Sequence, residues 1–268
     1  MDADGSHLER VPTGGTGAPQ SPSWSPSGER IVFQGAGGLW TFQLSTGRRE
    51  LILEDASPEL TPDWSPDGRF IAFTSERSGS TDLWVVSYSD RTPSRLSTNA
   101  HRDVWPRWAP DGRSIVFFSR RDTEGERDEL YVMDWQSREV ERLTVHPAHH
   151  DFVPDWSPDG ARIVAALSDG VTDRALVIHD RGGREPWRFA EGYHRVFQPT
   201  WSPDGRYIAF AARAHEGEAA DIYVIPTSRL SPRAAERDRI VTNIRSLRAV
   251  PTRRSSLGYT RGSSHGPR

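Results

Sequence analysis

The chain has 268 residues, 35% hydrophobic and 10% aromatic, with a formal net charge of −3 and no cysteine. This is enough for one large all-β domain, and it excludes a disulfide framework, thiol chemistry and the basic footprint that nucleic-acid binding relies on. All 34 basic residues are arginine, a usage that codon bias explains more simply than phosphate recognition.

The N-terminus, Met1-Asp2-Ala3-Asp4-Gly5, has neither the basic start nor the apolar run of a signal peptide, and no later stretch reaches the length of a membrane span. A soluble chain is expected: cytoplasmic as written, periplasmic or otherwise extracytoplasmic if an upstream leader is missing. Met1-Asp2 followed by Leu8-Glu9-Arg10-Val11 falls without a gap on Met133-Asp134 followed by Val140-Glu141-Arg142-Leu143. The chain therefore starts inside a repeat. Either residues 1–12 give an outer strand to a blade completed by the C-terminus, or Met1 is an internal residue of a longer reading frame, and the second is preferred.

From there one unit recurs. Pro-x-Trp-Ser-Pro-Asp-Gly followed by an apolar strand, with Ser27 for Asp in one copy and Ala109 for Ser in another, occupies residues 22–33, 62–73, 106–117, 154–165 and 199–210, and the markers Trp24, Trp64, Trp108, Trp156 and Trp201 are 40, 44, 48 and 45 residues apart. That is the period of a four-stranded propeller blade. Within each unit Pro sets φ for the first corner of a turn and Asp tolerates the second. Gly takes the left-handed position that returns the chain as a second strand. Ile71 and Phe73 occupy one face of that strand and Phe70 and Ala72 the other, as a blade between two neighbours requires.

A third strand follows in Leu39-Trp40-Thr41-Phe42 and its equivalents. Asp82, Glu129 and Asp221 stand just before it, read as acids accepting loop N–H groups in preference to a ligand ring. A polar outer strand ends in Arg95-Leu96-Ser97 or Arg142-Leu143-Thr144, suited to a solvent-facing edge.

The expected architecture is an all-β, six-bladed β-propeller with five complete blades, at 19–53, 60–97, 104–145, 152–190 and 196–243, and a degenerate sixth. The closing blade would draw its outer strand from 1–12 and a remnant from 248–260. Ser231-Pro232 opens a short predicted helix before the strand at 239–242, and 261–268 reads as a disordered tail.

These copies, each followed by Asp-Ile/Leu-Tyr/Trp or a close variant, resemble the WD-repeat-like blades of the TolB family, over roughly residues 1–245. The resemblance implies a propeller of the kind used as a protein-docking module in the bacterial envelope and beside peptidase domains of the prolyl oligopeptidase type. The small α/β domain that precedes the TolB propeller is not in this sequence, so a role in the Tol system is not implied with it. Fold alone does not give function.

Candidate chemistry lies in the loops between strands two and three and between blades. His101, His149 and His194 each stand five residues before a repeat Pro in three consecutive blades, with Asp103, His150, Asp151 and Arg195 beside them. Rotation about the channel would converge these imidazoles on its mouth, where a divalent metal is the candidate ligand. Gly262-Ser263-Ser264-His265-Gly266 fits a nucleophile elbow but lacks the flanking strand and helix. The Ser-Pro-Asp-Gly turns differ from sialidase Asp-boxes, since here Trp precedes the turn.

The expected function is a non-catalytic scaffold that docks a protein or peptide through the long-loop face and channel mouth, with no cofactor, nucleic acid or membrane insertion. The alternatives are a metal-dependent lyase or hydrolase centred on the three histidines, or the propeller of a larger peptidase. An incompletely closed ring would also self-associate.

Overall fold

A computed structural model describes Val11 and residues 19–230 apart from 56, 58–59, 123–127, 145–148, 169–173 and 183–185; of 149–152, 168 and 174 it describes the backbone only. The expectations for residues 1–10, 231–237, 239–242, 248–260 and 261–268 lie outside the described residues.

Among the described residues nineteen strands form five antiparallel sheets. Blade 1 is β1 (Gln20–Trp24), β2 (Arg30–Gly35), β3 (Gly38–Gln43) and β4 (Arg49–Glu54). Blade 2 is β5 (Asp63–Trp64), β6 (Phe70–Ser75), β7 (Asp82–Ser87) and β8 (Pro93–Arg95). Blade 3 is β9 (Asp103–Trp108), β10 (Ser114–Ser119), β11 (Glu129–Asp134) and β12 (Val140–Arg142). Blade 4 is β13 (His149–Trp156), β14 (Arg162–Ser168), β15 (Arg174–Asp180) and β16 (Trp187–Phe189). Blade 5 has three strands among the described residues, β17 (Arg195–Trp201), β18 (Tyr207–Arg213) and β19 (Asp221–Pro226). Each sheet runs in sequence order from the inner strand outward, and inner strands of consecutive blades pack together.

The turn chemistry is repeated in detail. In blade 2 the Ser65 hydroxyl donates to Asp67 at 2.6 Å, Asp67 accepts the Arg69 N–H, and the Phe70 N–H returns to the Ser65 hydroxyl. Gly68 sits at φ +71°, as do its counterparts Gly28, Gly112, Gly160 and Gly205 within four degrees, a conformation that costs a residue with a Cβ. Each of the last four glycines also lies against the turn proline of the preceding blade, from Gly68 on Pro26 to Gly205 on Pro158. The turns thus stack around one face of the disc.

Blade contacts follow the two-faced second strand. Ile71 and Phe73 join Trp64 against Val32, Leu39 and Ile52 of blade 1, whereas Ala72, Leu83 and Val85 receive Trp108 of blade 3. Trp156 and Trp201 repeat the arrangement on blades 3 and 4. Burying such side chains supplies most of the stabilisation between neighbours.

Trp24 departs from the other repeat tryptophans, which are buried, in being 59% exposed. It belongs to the first blade, and among the described residues no preceding blade packs on it. At the other end Ile222 and Val224 are 69% and 45% exposed, although their register on β19 is that of the buried pairs Leu83/Val85 on β7 and Leu176/Ile178 on β15. Among the described residues, blades 1 and 5 therefore each present a flank without a neighbouring blade.

Two of the acids that open the third strands are tied into the fold by side-chain partners. Buried Asp82 accepts the Ser78 and Ser80 hydroxyls and the Arg95 guanidinium at 2.6 Å. Glu129 accepts the Thr144 hydroxyl and pairs with Arg142. Ser97 and Thr144 in turn accept the N–H of Leu83 and Leu130. The Arg-Leu-Ser/Thr ending of the outer strand is thereby accounted for. Asp221, in the blade without a described fourth strand, is exposed.

Candidate functional site: the central channel

The five inner strands surround a cavity of about 490 Å³. The residue between Pro and Trp of each repeat, which differs from copy to copy, supplies its polar wall: Ser23, Asp63, Arg107, Asp155 and Thr200 all line the cavity. Equivalent positions in a propeller are related by rotation, so these five residues, two of them aspartates, become one ring.

The ring is hydrogen-bonded between blades. Asp63 on β5 accepts the Ser23 hydroxyl at 3.0 Å, the Arg107 guanidinium at 3.1 Å and the Trp108 backbone N–H at 2.8 Å. Asp155 on β13 accepts the Thr200 hydroxyl at 2.9 Å and the Trp201 N–H at 2.7 Å. Trp156 Nε1–H donates to the Arg107 carbonyl. Each aspartate thus ties its own inner strand to the next.

Confinement governs the charges. Burial in the channel raises the Asp63 pKa, opposed chiefly by Arg107. Burial likewise pushes Asp155 up to about 6, opposed by Arg107 and its two hydrogen bonds and reinforced by the Asp63 charge. The two carboxylates differ in their counter-ion: Arg107 pairs directly with Asp63 and reaches Asp155 only as a more distant charge.

A second layer comes from the backbone. Ser21, Thr61, Trp105 and Gln198 each precede a repeat Pro and have φ of +50°, +37°, +56° and +52°. The residue before proline ordinarily favours extended conformations. The ladder slips there as well, between Gln20 and Ser23, between the partners of Val116 and Phe118, and between Phe197 and Thr200, and blade 4 slips between Phe152 and Asp155. These bulged residues, with Val153, also line the cavity. Repeated bulges and left-handed non-glycine residues around a cavity mark a place where side chains are re-aimed, a recurrent property of binding sites.

Of the residues singled out from sequence, those with described side chains, His101, Asp103, His194 and Arg195, are not part of the cavity wall. His101 is exposed just before β9 and donates its N–H to Asn99 Oδ1 at 2.7 Å. His194 is exposed just before β17, its N–H on the Arg213 carbonyl. His149 lies between them in the ring, opening β13 opposite Ser168; its side chain and those of His150 and Asp151 lie outside the described residues. Arg195 is half-buried with its guanidinium 5.7 Å from the Phe197 ring. Asp103 does not face a partner: it is fully buried, held by Arg121 at 2.7 Å and by the Asn99 amide. Among the described residues no group of three or more His, Asp or Glu is placed to hold a metal ion.

The model for the TolB β-propeller domain matches residues 1–172. The chain belongs to the TolB β-propeller family. Among curated relatives, the Tol-Pal system protein TolB of Alcanivorax borkumensis is 39% identical over 64 residues, 22% of this chain and 15% of that protein. Among solved structures, TolB from Acinetobacter baumannii superposes with a TM-score of 0.66 at 23% identity, covering 78% of this chain and 52% of that one. An oligogalacturonate lyase in complex with manganese superposes with a TM-score of 0.62 at 13% identity, covering 82% and 65%. Both superpositions carry the fold alone. The TolB-type propeller described here spans about half the length of the Acinetobacter protein it resembles and a smaller share of its curated relative. No helix of the described residues is long and apolar enough to cross a membrane.

Proposed function

We propose that this TolB-type propeller is a docking module that takes a segment of a protein or peptide into its central channel from the long-loop face. The observation that carries the reading is the channel wall: five inner strands, four of them bulged beside the repeat proline, bring mixed polar side chains to one cavity of about 490 Å³. A wall of mixed donors and acceptors with a few apolar faces, Trp105 and the prolines among them, suits an extended chain whose peptide groups need partners. The Pro-Gly turns stack around the opposite face, and the long-loop side, that of His101 and His194, is the proposed entry.

Calorimetric titration separates this function from the lyase chemistry of a structural neighbour. Purified Tol-Pal system proteins encoded in the same genome are titrated into the chain, and oligogalacturonate is supplied separately with manganese. Saturable binding of a protein, without unsaturated sugar product, supports docking; product formation without protein binding overturns it.

A further inference from the structure

The two channel carboxylates have different surroundings, although they occupy the same position of the repeat. Asp63 has a direct guanidinium partner, a hydroxyl and a backbone N–H. Asp155 has a hydroxyl and a backbone N–H, both on Oδ2, and among the described residues no cation at ion-pair distance. Its carboxylate lines the cavity.

We propose that Asp155 is a cation subsite within the channel, which receives an ammonium or guanidinium group of the docked segment, a lysine or arginine side chain or a free N-terminus. The inference rests on the docking function proposed above and names the chemistry that the docked segment carries. A carboxylate in a confined, poorly hydrated cavity gains more from an incoming cation than one in open water, and a single unmatched charge gives selectivity by excluding segments that leave it unpaired. Arg107 sets the complementary limit. Its guanidinium occupies Asp63, so the ring offers one vacant acid and accepts one cation. The groups facing Asp155 from the packed inner strands are Arg107 on β9 and Thr200 on β17, with Asp63 acting from β5. Burial raises the pKa of Asp155, and the charge of Arg107 offsets that only in part.

The test uses the full chain in EDTA-containing buffer and two acetylated, amidated pentapeptides, Gly-Ser-Lys-Ser-Gly and the same sequence with norleucine for lysine. Binding is followed through the indole N–H resonances by NMR near pH 7.5, where Asp155 is ionised. The lysine peptide is expected to bind about tenfold more tightly than the norleucine peptide, and the ratio should fall to about one in Asp155→Asn, which retains an acceptor for Trp201. Arg107→Gln, which frees Asp63, should raise lysine-peptide affinity. This second variant keeps the test decisive if Asp155→Asn folds poorly. Equal binding of the two peptides in the parent leaves docking intact and overturns the cation subsite. So does a lysine preference that survives Asp155→Asn, or an Arg107→Gln variant with unchanged affinity. If neither peptide perturbs the channel indoles, the subsite and the docking function both fall.

Discussion

The Asp63 carboxylate accepts the backbone N–H of Trp108, 45 residues further along the chain, at 2.8 Å. Asp155 repeats the bond to Trp201, 46 residues on, at 2.7 Å. One acid per pair of blades therefore fixes the next inner strand at the point where its tryptophan enters the preceding blade. Replacing Asp63 by Ala leaves a buried N–H and the Arg107 guanidinium without their acceptor, and is expected to cost about 1–3 kcal/mol. Urea unfolding measures this, and a loss below about 0.5 kcal/mol would show that the inner strands are held by packing alone.

The repeat tryptophans should divide into two classes. Trp64→Ala and Trp156→Ala empty sites that are 95% buried and are expected to cost about 3–5 kcal/mol. Trp24→Ala, at an exposed position, should stay within about 1 kcal/mol of the parent. Equal losses at all three positions, read from the same unfolding curves, would mean that Trp24 is covered in solution.

Stability should also respond to the protonation of Asp155. Its folded pKa of about 6 lies above the ordinary carboxylate value, so between pH 4 and 6 the folded state binds more protons than the unfolded state. Stability from this group is full below the ordinary range and is lost as pH rises through 6. Asp155→Asn removes the term. Relative to the parent, the variant should gain on the order of 1–3 kcal/mol between pH 4 and pH 7. An unfolding free-energy difference that is flat with pH would place the Asp155 pKa in the normal range.

Trp24, Ile222 and Val224 leave two complementary apolar flanks, a surface of the kind that drives association. Light scattering is expected to show a mass that rises with concentration and falls towards one chain in Trp24→Ser/Ile222→Ser. A concentration-independent monomer in the parent would show that the flanks are satisfied within one molecule.

Much of this architecture was legible because it is local and repeated. Gly68 and its counterparts mark φ near +70° through a turn that only glycine enters cheaply. The alternation of Ile71 and Phe73 with Phe70 and Ala72 shows which face meets which neighbour. The channel ring was not legible in the same way. Ser23, Asp63, Arg107, Asp155 and Thr200 do not repeat one residue type, so the position between Pro and Trp reads as unconstrained until rotation brings the five together. The histidines drew notice for the opposite reason, since a conspicuous residue recurs at one offset. The internal role of Asp103 depends on Arg121, beyond the end of the following strand, and on the bend that turns Asn99 towards it; neither contact has a sequence pattern of its own.

The central claim, that a partner enters the channel from the long-loop face, is tested most directly by mapping its contacts with a photo-reactive residue. Benzoylphenylalanine is placed at Gln198 or Trp105 in the channel wall, and at Asp67 or Asp111 on the turn face, and each chain is irradiated with a bound Tol-Pal protein. The channel positions should yield the covalent adduct and the turn positions should not. Adducts from Asp67 or Asp111, with none from Gln198 or Trp105 while binding persists, would contradict the account.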